Sequence, residues 1–389
     1  MTCETAKGLE GELWANTSAR LAVLDSWSVE QFLRWLGFTA GIVILVGTVV
    51  GVMKTLLVPR RSWSLLSAFV GRYGFRAFHS VAKRMSSYDL ADRFLGFLAP
   101  TVVIGILAAL LASFVVAFAL LLLPWADLTI GEALLESGSS IFTLGFLSTA
   151  GPVPITIDVL GGATGMIFVA LTIAYLPPMY AEIRRREALV KQLGVWTGTP
   201  SWGPEILARF SLAGAVGRLP RLYSSWDGWC AHVADTHMKY PALTHFRLPR
   251  SRNHWLIALL GVMDSAALDM ALRPSSDHID ARLMLRQGAS CLRDVAYPMR
   301  RIEPGPPEPR IDEADFHRGV DRLISAGFPV ERSAGEAWQE FVAIRSDYAP
   351  LAYQLAFWTM AAPAPWSGER AGFPGLIDEP DAPDIWSLT

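Results

Sequence analysis

SGSSIFTLGFLSTAGPVP, residues Ser137 to Pro154, is a short run of apolar and small polar residues set between two long hydrophobic stretches. On its N-terminal side, Phe94 to Trp125 holds 32 residues without Asp, Glu, Lys, Arg or His; on its C-terminal side, Val159 to Tyr180 holds 22. Each exceeds the ~20 residues a helix needs to cross the hydrocarbon core of a bilayer. A third stretch, Leu36 to Met53, adds 18. Lys54 can snorkel to the headgroups while Thr55 to Val58 extends that span. The expected fold class is therefore an all-α membrane protein. It has three transmembrane helices, one re-entrant loop at 131–150, and a helical C-terminal domain.

Loop charges orient the spans. Lys54 to Arg93 carries eight Lys or Arg against Asp89 and Asp92, and Arg184-Arg185-Arg186 follows the last span. Ala126 to Asp158 has no Lys or Arg, and Met1 to Arg34 has three. Positive-inside bias puts the N-terminus and the re-entrant loop outside and the tail in the cytosol of a multi-pass cell-membrane protein. The expected division is 1–34 extracytoplasmic, 35–58 first span, 59–93 basic interfacial segment, 94–180 helix–loop–helix module, 181–360 cytosolic helical domain and 361–389 disordered tail. Met1 to Arg34 is polar and acidic, so no cleaved signal peptide is expected. Hydrophobic residues make up 52% of the chain and the net charge is −2, which gives no electrostatic footprint for nucleic acid. Three cysteines form no disulfide framework.

Thr143-Leu144-Gly145-Phe146-Leu147 lies at the centre of the re-entrant segment. A cation crossing a membrane exchanges its hydration shell for fixed oxygens, which a backbone can supply as inward carbonyls together with a threonine hydroxyl. Successive carbonyls turn to one side only where some residues take left-handed angles, which Gly145 does freely and Leu147 at a cost. A preceding helix over Gly131 to Phe142 would aim its negative dipole end at the cavity.

This layout resembles the pore module of the potassium-channel superfamily, whose filter reads T-V-G-Y-G or T-x-G-F-G. The resemblance covers Phe94 to Tyr180, under a quarter of the chain; Leu147 replaces the second filter glycine and Ser148 the usual acid. The segment S-S-I-F-T-L-G-F-L-S-T is also similar to pore loops of the Trk/Ktr/HKT potassium transporters, which read T-x-G-F-S-T with a single glycine per repeat. Those transporters carry four loops in one chain and this sequence has one. The resemblance thus implies a homotetramer that conducts a monovalent cation, with potassium the expected ion.

Asp127, Glu132, Glu136 and Asp158 would form an electronegative outer vestibule in four copies, although Glu132 also suits the first turn of a helix. Gly161, Gly162 and Gly165, which open the last span, and Leu176-Pro177-Pro178, near its cytosolic end with Pro177 34 residues after Thr143, are the candidate inner-gate or bend residues. A bend or break is expected there, as an inner gate or as the end of the span. No span carries an arginine repeat, which speaks against a dedicated voltage sensor.

Ser62 to Met85 places Leu66, Phe69, Val70, Tyr73, Phe78 and Val81 at helical spacing among Arg72, Arg76, Lys83 and Arg84. It reads as an interfacial helix in contact with membrane lipid, or as a helix packed on the tail domain. In the tail, helices are expected from Gly203-Pro204-Glu205, over Trp226 to Lys239, Asn253 to Met270, Asp277 to Leu292 and Asp312 to Ala326. A last long helix spans Trp338 to Leu355, divided or kinked at Pro350. The proline-rich 302–310 is a stiff linker. His232, Asp235 and His237, and Asp277, His278 and Asp280, are the clusters of candidate ligands. His232 and His237 are five apart, on different helix faces, and Asp277 suits a helix start, so no metal or cofactor beyond the permeant ion is expected. No nucleotide-binding motif, catalytic triad or P-loop is present, and the chain reads as a non-enzyme. The expected function is a tetrameric potassium-conducting channel whose tail assembles or gates the pore and can take a cytosolic ligand. A membrane-anchored sensor or scaffold with a non-conducting pore-like module is the other reading.

Overall fold

A computed structural model describes residues 29–57, 65–147, 150–247, 252–297, 311–370, 372–373, 376–378 and 380–381. Every regular element among them is helical. The order is α1 (Val29–Leu57), α2 (Leu65–Ala82), α3 (Tyr88–Leu95), α4 (Leu98–Leu122), α5 (Ile130–Ile141), α6 (Pro152–Thr197) and α7 (Gly203–Leu212), then α8 (Leu219–Lys239), α9 (Trp255–Leu272), α10 (Ile279–Ala296), α11 (Glu313–Ser325), α12 (Ala334–Ser346) and α13 (Ala349–Thr359). The chain divides into two compact units. One comprises Met1–Leu57, Trp63–Ser67 and Ile106–Tyr175; the other comprises Val58–Ser62, Ala68–Gly105 and Leu176–Thr389.

Four helical stretches are long and apolar enough to cross a membrane: Val29–Leu57, Tyr88–Leu122, Pro152–Thr197 and Trp255–Leu272. The chain therefore fits a membrane-embedded protein. The most apolar 18-residue windows of the first three are 22%, 39% and 17% buried, whereas that of α9 is 94% buried. A helix apolar all round must be covered by protein or by lipid. For α9 the cover is protein: α7, α8, α10, α12 and α13 pack around it.

In the first unit α1 lies close against α4. A Cβ on Gly41 would stand 3.0 Å from the Ala117 carbonyl oxygen, so the missing side chain admits the neighbouring backbone. Trp35, Phe38 and Trp125 meet edge-to-face, with centroids 5.4 to 6.5 Å apart.

The second unit is a helical domain with Trp226 and Trp255 fully buried. Its buried charges Asp264, Arg345 and Arg186 are paired. Arg345 Nε donates to Asp264 Oδ1 at 2.9 Å and the Tyr348 hydroxyl donates to the same oxygen at 2.7 Å. Removing one partner of such a buried pair costs about 3–5 kcal/mol, because the other charge stays behind uncompensated. Arg186 donates to the carbonyls of Leu243 at 2.7 Å and Phe246 at 3.0 Å and forms an ion pair with Glu187 at 2.5 Å.

Several expectations change here. The last span does not end or break at Leu176-Pro177-Pro178: α6 runs as one 46-residue helix through both prolines. Proline removes one amide donor each time, and the adjacent turns hold the helix across the gap. Residues 361–389 were expected to be disordered, yet Ala361, Ala362, Ala364, Trp366, Ser367 and Arg370 are buried. The Arg370 guanidinium donates to the carbonyls of Ala361 at 2.7 Å and Ala362 at 2.8 Å, so one buried cation organises a segment without regular structure. Helix α2 is not wholly interfacial: Phe75, His79 and Ala82 are buried in the second unit, while Phe69, Tyr73 and Val81 are exposed. The division near Pro350 occurs, α12 ending at Ser346 and α13 opening at Ala349. The linker 302–310 and nearly all of the N-terminal segment lie outside the described residues.

Candidate functional site

The loop expected to carry the chemistry follows α5, a short helix whose start is set by a capping box. Thr129 Oγ1 accepts from the Glu132 amide at 3.3 Å, and Glu132 Oε2 accepts from the Thr129 amide at 2.8 Å. The expected helix from Gly131 thus begins one residue earlier, at Ile130. Thr129-x-x-Glu132 spells this capping box in the sequence, in keeping with Glu132 in a first helical turn.

One side of α5 is held by α4, through Ser137 Oγ donating to the Val115 carbonyl at 2.8 Å. Helix α6 meets its C-terminal end through glycines. A Cβ on Gly165 would fall 1.9 Å from the Ile141 carbonyl oxygen, one on Gly162 3.3 Å from the Ser140 oxygen, and one on Gly161 3.6 Å from Ser140 Cβ. Gly161, Gly162 and Gly165 were expected at an inner gate or bend. In the structure they form the seat on which the short helix rests, with small residues letting two backbones approach.

Helix α5 closes in a Schellman motif. The Leu144 amide donates to the Ser139 carbonyl at 2.8 Å and the Thr143 amide to Ser140 at 3.0 Å. The left-handed residue this motif requires is Thr143, at φ 55°. Glycine usually fills that position; a β-branched side chain there is a genuine outlier, costing about 1–3 kcal/mol. Two residues on, Gly145 is also left-handed, at φ 66°. The expectation for Gly145 therefore agrees with the backbone, and Thr143 adds a second left-handed position at alternate spacing. Thr143, Leu144, Gly145, Phe146 and Leu147 are all exposed, and a Cβ on Gly145 would meet nothing within 4 Å.

The outer carboxylates do not form a purely anionic rim. Asp127 is paired with Arg34 at 3.0 Å, and Arg34 also binds Glu30 and the carbonyls of Leu123 and Ala126. Glu132 is the capping carboxylate, and Asp158 accepts from Ser140 Oγ at 3.1 Å. Glu136 is 4% exposed and belongs to the packing of α5 rather than to a solvated vestibule. The i,i+4 spacing of Glu30 and Arg34 was readable, whereas the bonds of Arg34 to Leu123, Ala126 and Asp127 span 89 residues or more and left no signal.

In the tail the candidate ligand residues have separate partners. His232 Nε2 lies 2.7 Å from Glu182, Asp235 pairs with Lys239 at 2.7 Å, and His237 is buried against Arg186. Burial, reinforced by Arg186, holds the His237 ring well below the usual histidine range. Asp277 Oδ1 accepts from the Ile279 amide at 3.1 Å at the start of α10, and His278 Nε2 lies 2.8 Å from the Arg273 carbonyl. Among the described residues no group of three or more His, Cys, Asp or Glu could hold a metal ion. No family model, curated protein or solved structure matches this chain.

Proposed function

We propose that this chain is one subunit of a homotetrameric cation channel that prefers potassium, with Thr143 to Leu147 as its filter. The carrying observation is the alternate left-handed backbone at Thr143 and Gly145, in an exposed loop between two apolar helices. Four loops around an axis would line it with carbonyls and the Thr143 hydroxyl, replacing a cation's hydration shell. In this reading α1, α4 and α6 are the spans, the loop lies outside, and the helical domain 181–360, with α9 at its core, is cytosolic. Charge distribution along the sequence supports that orientation. Potassium selectivity is weaker than in a two-glycine filter, since Leu147 costs the outermost carbonyl ring its geometry.

The test is reconstitution of the full chain in planar bilayers with potassium and sodium gradients. Currents reversing near the potassium potential are expected. Gly145→Ala should abolish them, since its Cβ penalises the left-handed backbone by about 1–2 kcal/mol in each of four loops, and Leu147→Gly should sharpen selectivity. A purified protein that is monomeric or dimeric, or Gly145→Ala currents identical to wild type, would remove the proposal.

A second reading, a membrane-anchored sensor or scaffold, is favoured by one observation. The Arg34–Asp127 pair places a cation in what would be the vestibule. Silent bilayers from a stable, well-folded protein would select it.

A further inference from the structure

Helix α2 carries two faces of opposite character. Phe75, His79 and Ala82 are buried in the core of the second unit, with Phe75 stacked on His79 at a centroid distance of 3.8 Å. The other face, through Phe69, Arg72, Tyr73, Arg76, Ser80, Lys83 and Arg84, is exposed. Phe69 and Tyr73 are 59% and 54% exposed and lie ring to ring at 4.4 Å, a large apolar surface for a helix to leave in water. Positions 69, 73, 76, 80 and 84 follow one stripe at helical spacing, so the aromatic pair and the cations share it.

The charge on this stripe is one-sided. From Trp35 to Tyr88 the sequence contains no Asp or Glu, while Lys54, Arg60, Arg61, Arg72, Arg76, Lys83 and Arg84 fall within it. Arg72, Arg76, Lys83 and Arg84 have no ion-pair partner among the described residues. In sequence, seven residues separate Leu65 from the end of the apolar helix α1, and Tyr88–Leu122 follows. Aromatic rings with flanking cations, beside apolar helices, are the composition that settles at headgroup depth in an anionic leaflet.

We propose that the exposed face of α2 docks on an anionic phospholipid surface, with Phe69 and Tyr73 at the acyl boundary and the four cations on lipid phosphates. Because the opposite face is sealed into the helical domain, lipid charge acts directly on an element of that domain's core. The inference rests on the membrane-embedded part of the function proposed above and not on conduction, so a non-conducting protein still tests it.

The experiment places a bimane label on Ser80→Cys in the full chain with Cys3→Ser; Cys230 and Cys291 are buried. The protein is reconstituted in nanodiscs of phosphatidylcholine alone or with about 30% phosphatidylglycerol, each with acyl chains brominated near the headgroup. Lipid quenching should be about twofold stronger with phosphatidylglycerol and should weaken as salt is raised, because exposed charges are screened over a Debye length. Arg72→Gln with Arg76→Gln should weaken the lipid dependence without changing the melting temperature, both side chains being exposed. Phe69→Ser with Tyr73→Ser should reduce quenching in both lipids. Equal quenching in the two lipids, or a label shielded from water but not quenched by lipid, would overturn the proposal; the second result would assign the face to a protein contact.

Discussion

At Thr143 the preference of the side chain and the conformation of the backbone collide. A β-branched side chain at φ 55° is strained, and the Schellman motif that imposes the angle would accept glycine more readily. Strain of this kind persists where the surroundings over-determine it and tends to gather at functional positions. If the chain conducts as proposed, the expected outcome for Thr143→Gly is a split: thermal stability holds or rises by about 0.5–1 kcal/mol, while the proposed potassium current is lost with the hydroxyl. Thr143→Ser keeps the hydroxyl and should retain current. Melting curves and bilayer recordings on the same preparations check both halves; current surviving in the glycine variant would show that the hydroxyl is not a ligand.

Among the elements, the contact between α5 and α6 positions the loop. Its fit is set at Gly165, where an added Cβ would lie 1.9 Å from the Ile141 carbonyl oxygen and 2.9 Å from the carbonyl carbon. Backbone cannot yield as a flexible side chain does, so Gly165→Ala should cost about 1–3 kcal/mol as overpacking. Gly161→Ala, whose Cβ would have ordinary 3.6 Å contacts, should be neutral or stabilising by up to about 1 kcal/mol, alanine being the better helix former. The pair is measured by thermal unfolding in detergent, and equal effects would show that the seat is elastic. The G-G-x-x-G of Gly161 to Gly165 was visible as small residues. Their task was not, because a glycine that bends a helix and one that admits a neighbour look alike in one dimension.

The helical domain as a whole carries a pH dependence. His79, His237 and His254 are buried, and desolvation is the largest cause of each depression. His79 is lowered to about 4, with Arg247 and Lys83 adding repulsion; Arg186 acts on His237, and Arg247, Arg186 and Arg370 act on His254. The folded state thus binds fewer protons than an unfolded chain whose histidines titrate near 6.5. Stability from these rings is complete above about pH 6.5 and is lost as the pH falls toward the folded value, by about 3 kcal/mol from His79 alone near pH 4. Melting temperatures from pH 7.5 to 4 should fall below pH 6.5, and His79→Gln should flatten part of the slope. A flat profile would mean that the rings become charged without unfolding the domain.

The sequence by itself determined the helical class, the three long uncharged stretches and most helix positions in the tail. Apolar length, helical periodicity, capping residues and turn prolines act over one or a few turns and can be read without knowing the neighbours. Gly145 was legible for the same reason, since its freedom at positive φ is its own. Partnership was left to the tertiary structure. Composition alone makes Trp255–Leu272 a fourth candidate span, and only the five helices around it make it a core. Arg34 became the partner of Asp127, Gly165 a seat for Ile141, and Trp366 a buried ring against Trp202 and Phe316 through contacts with residues distant in sequence. Burial and ion pairing are properties of what surrounds a residue, and a linear pattern carries no record of which surroundings the folded chain supplies.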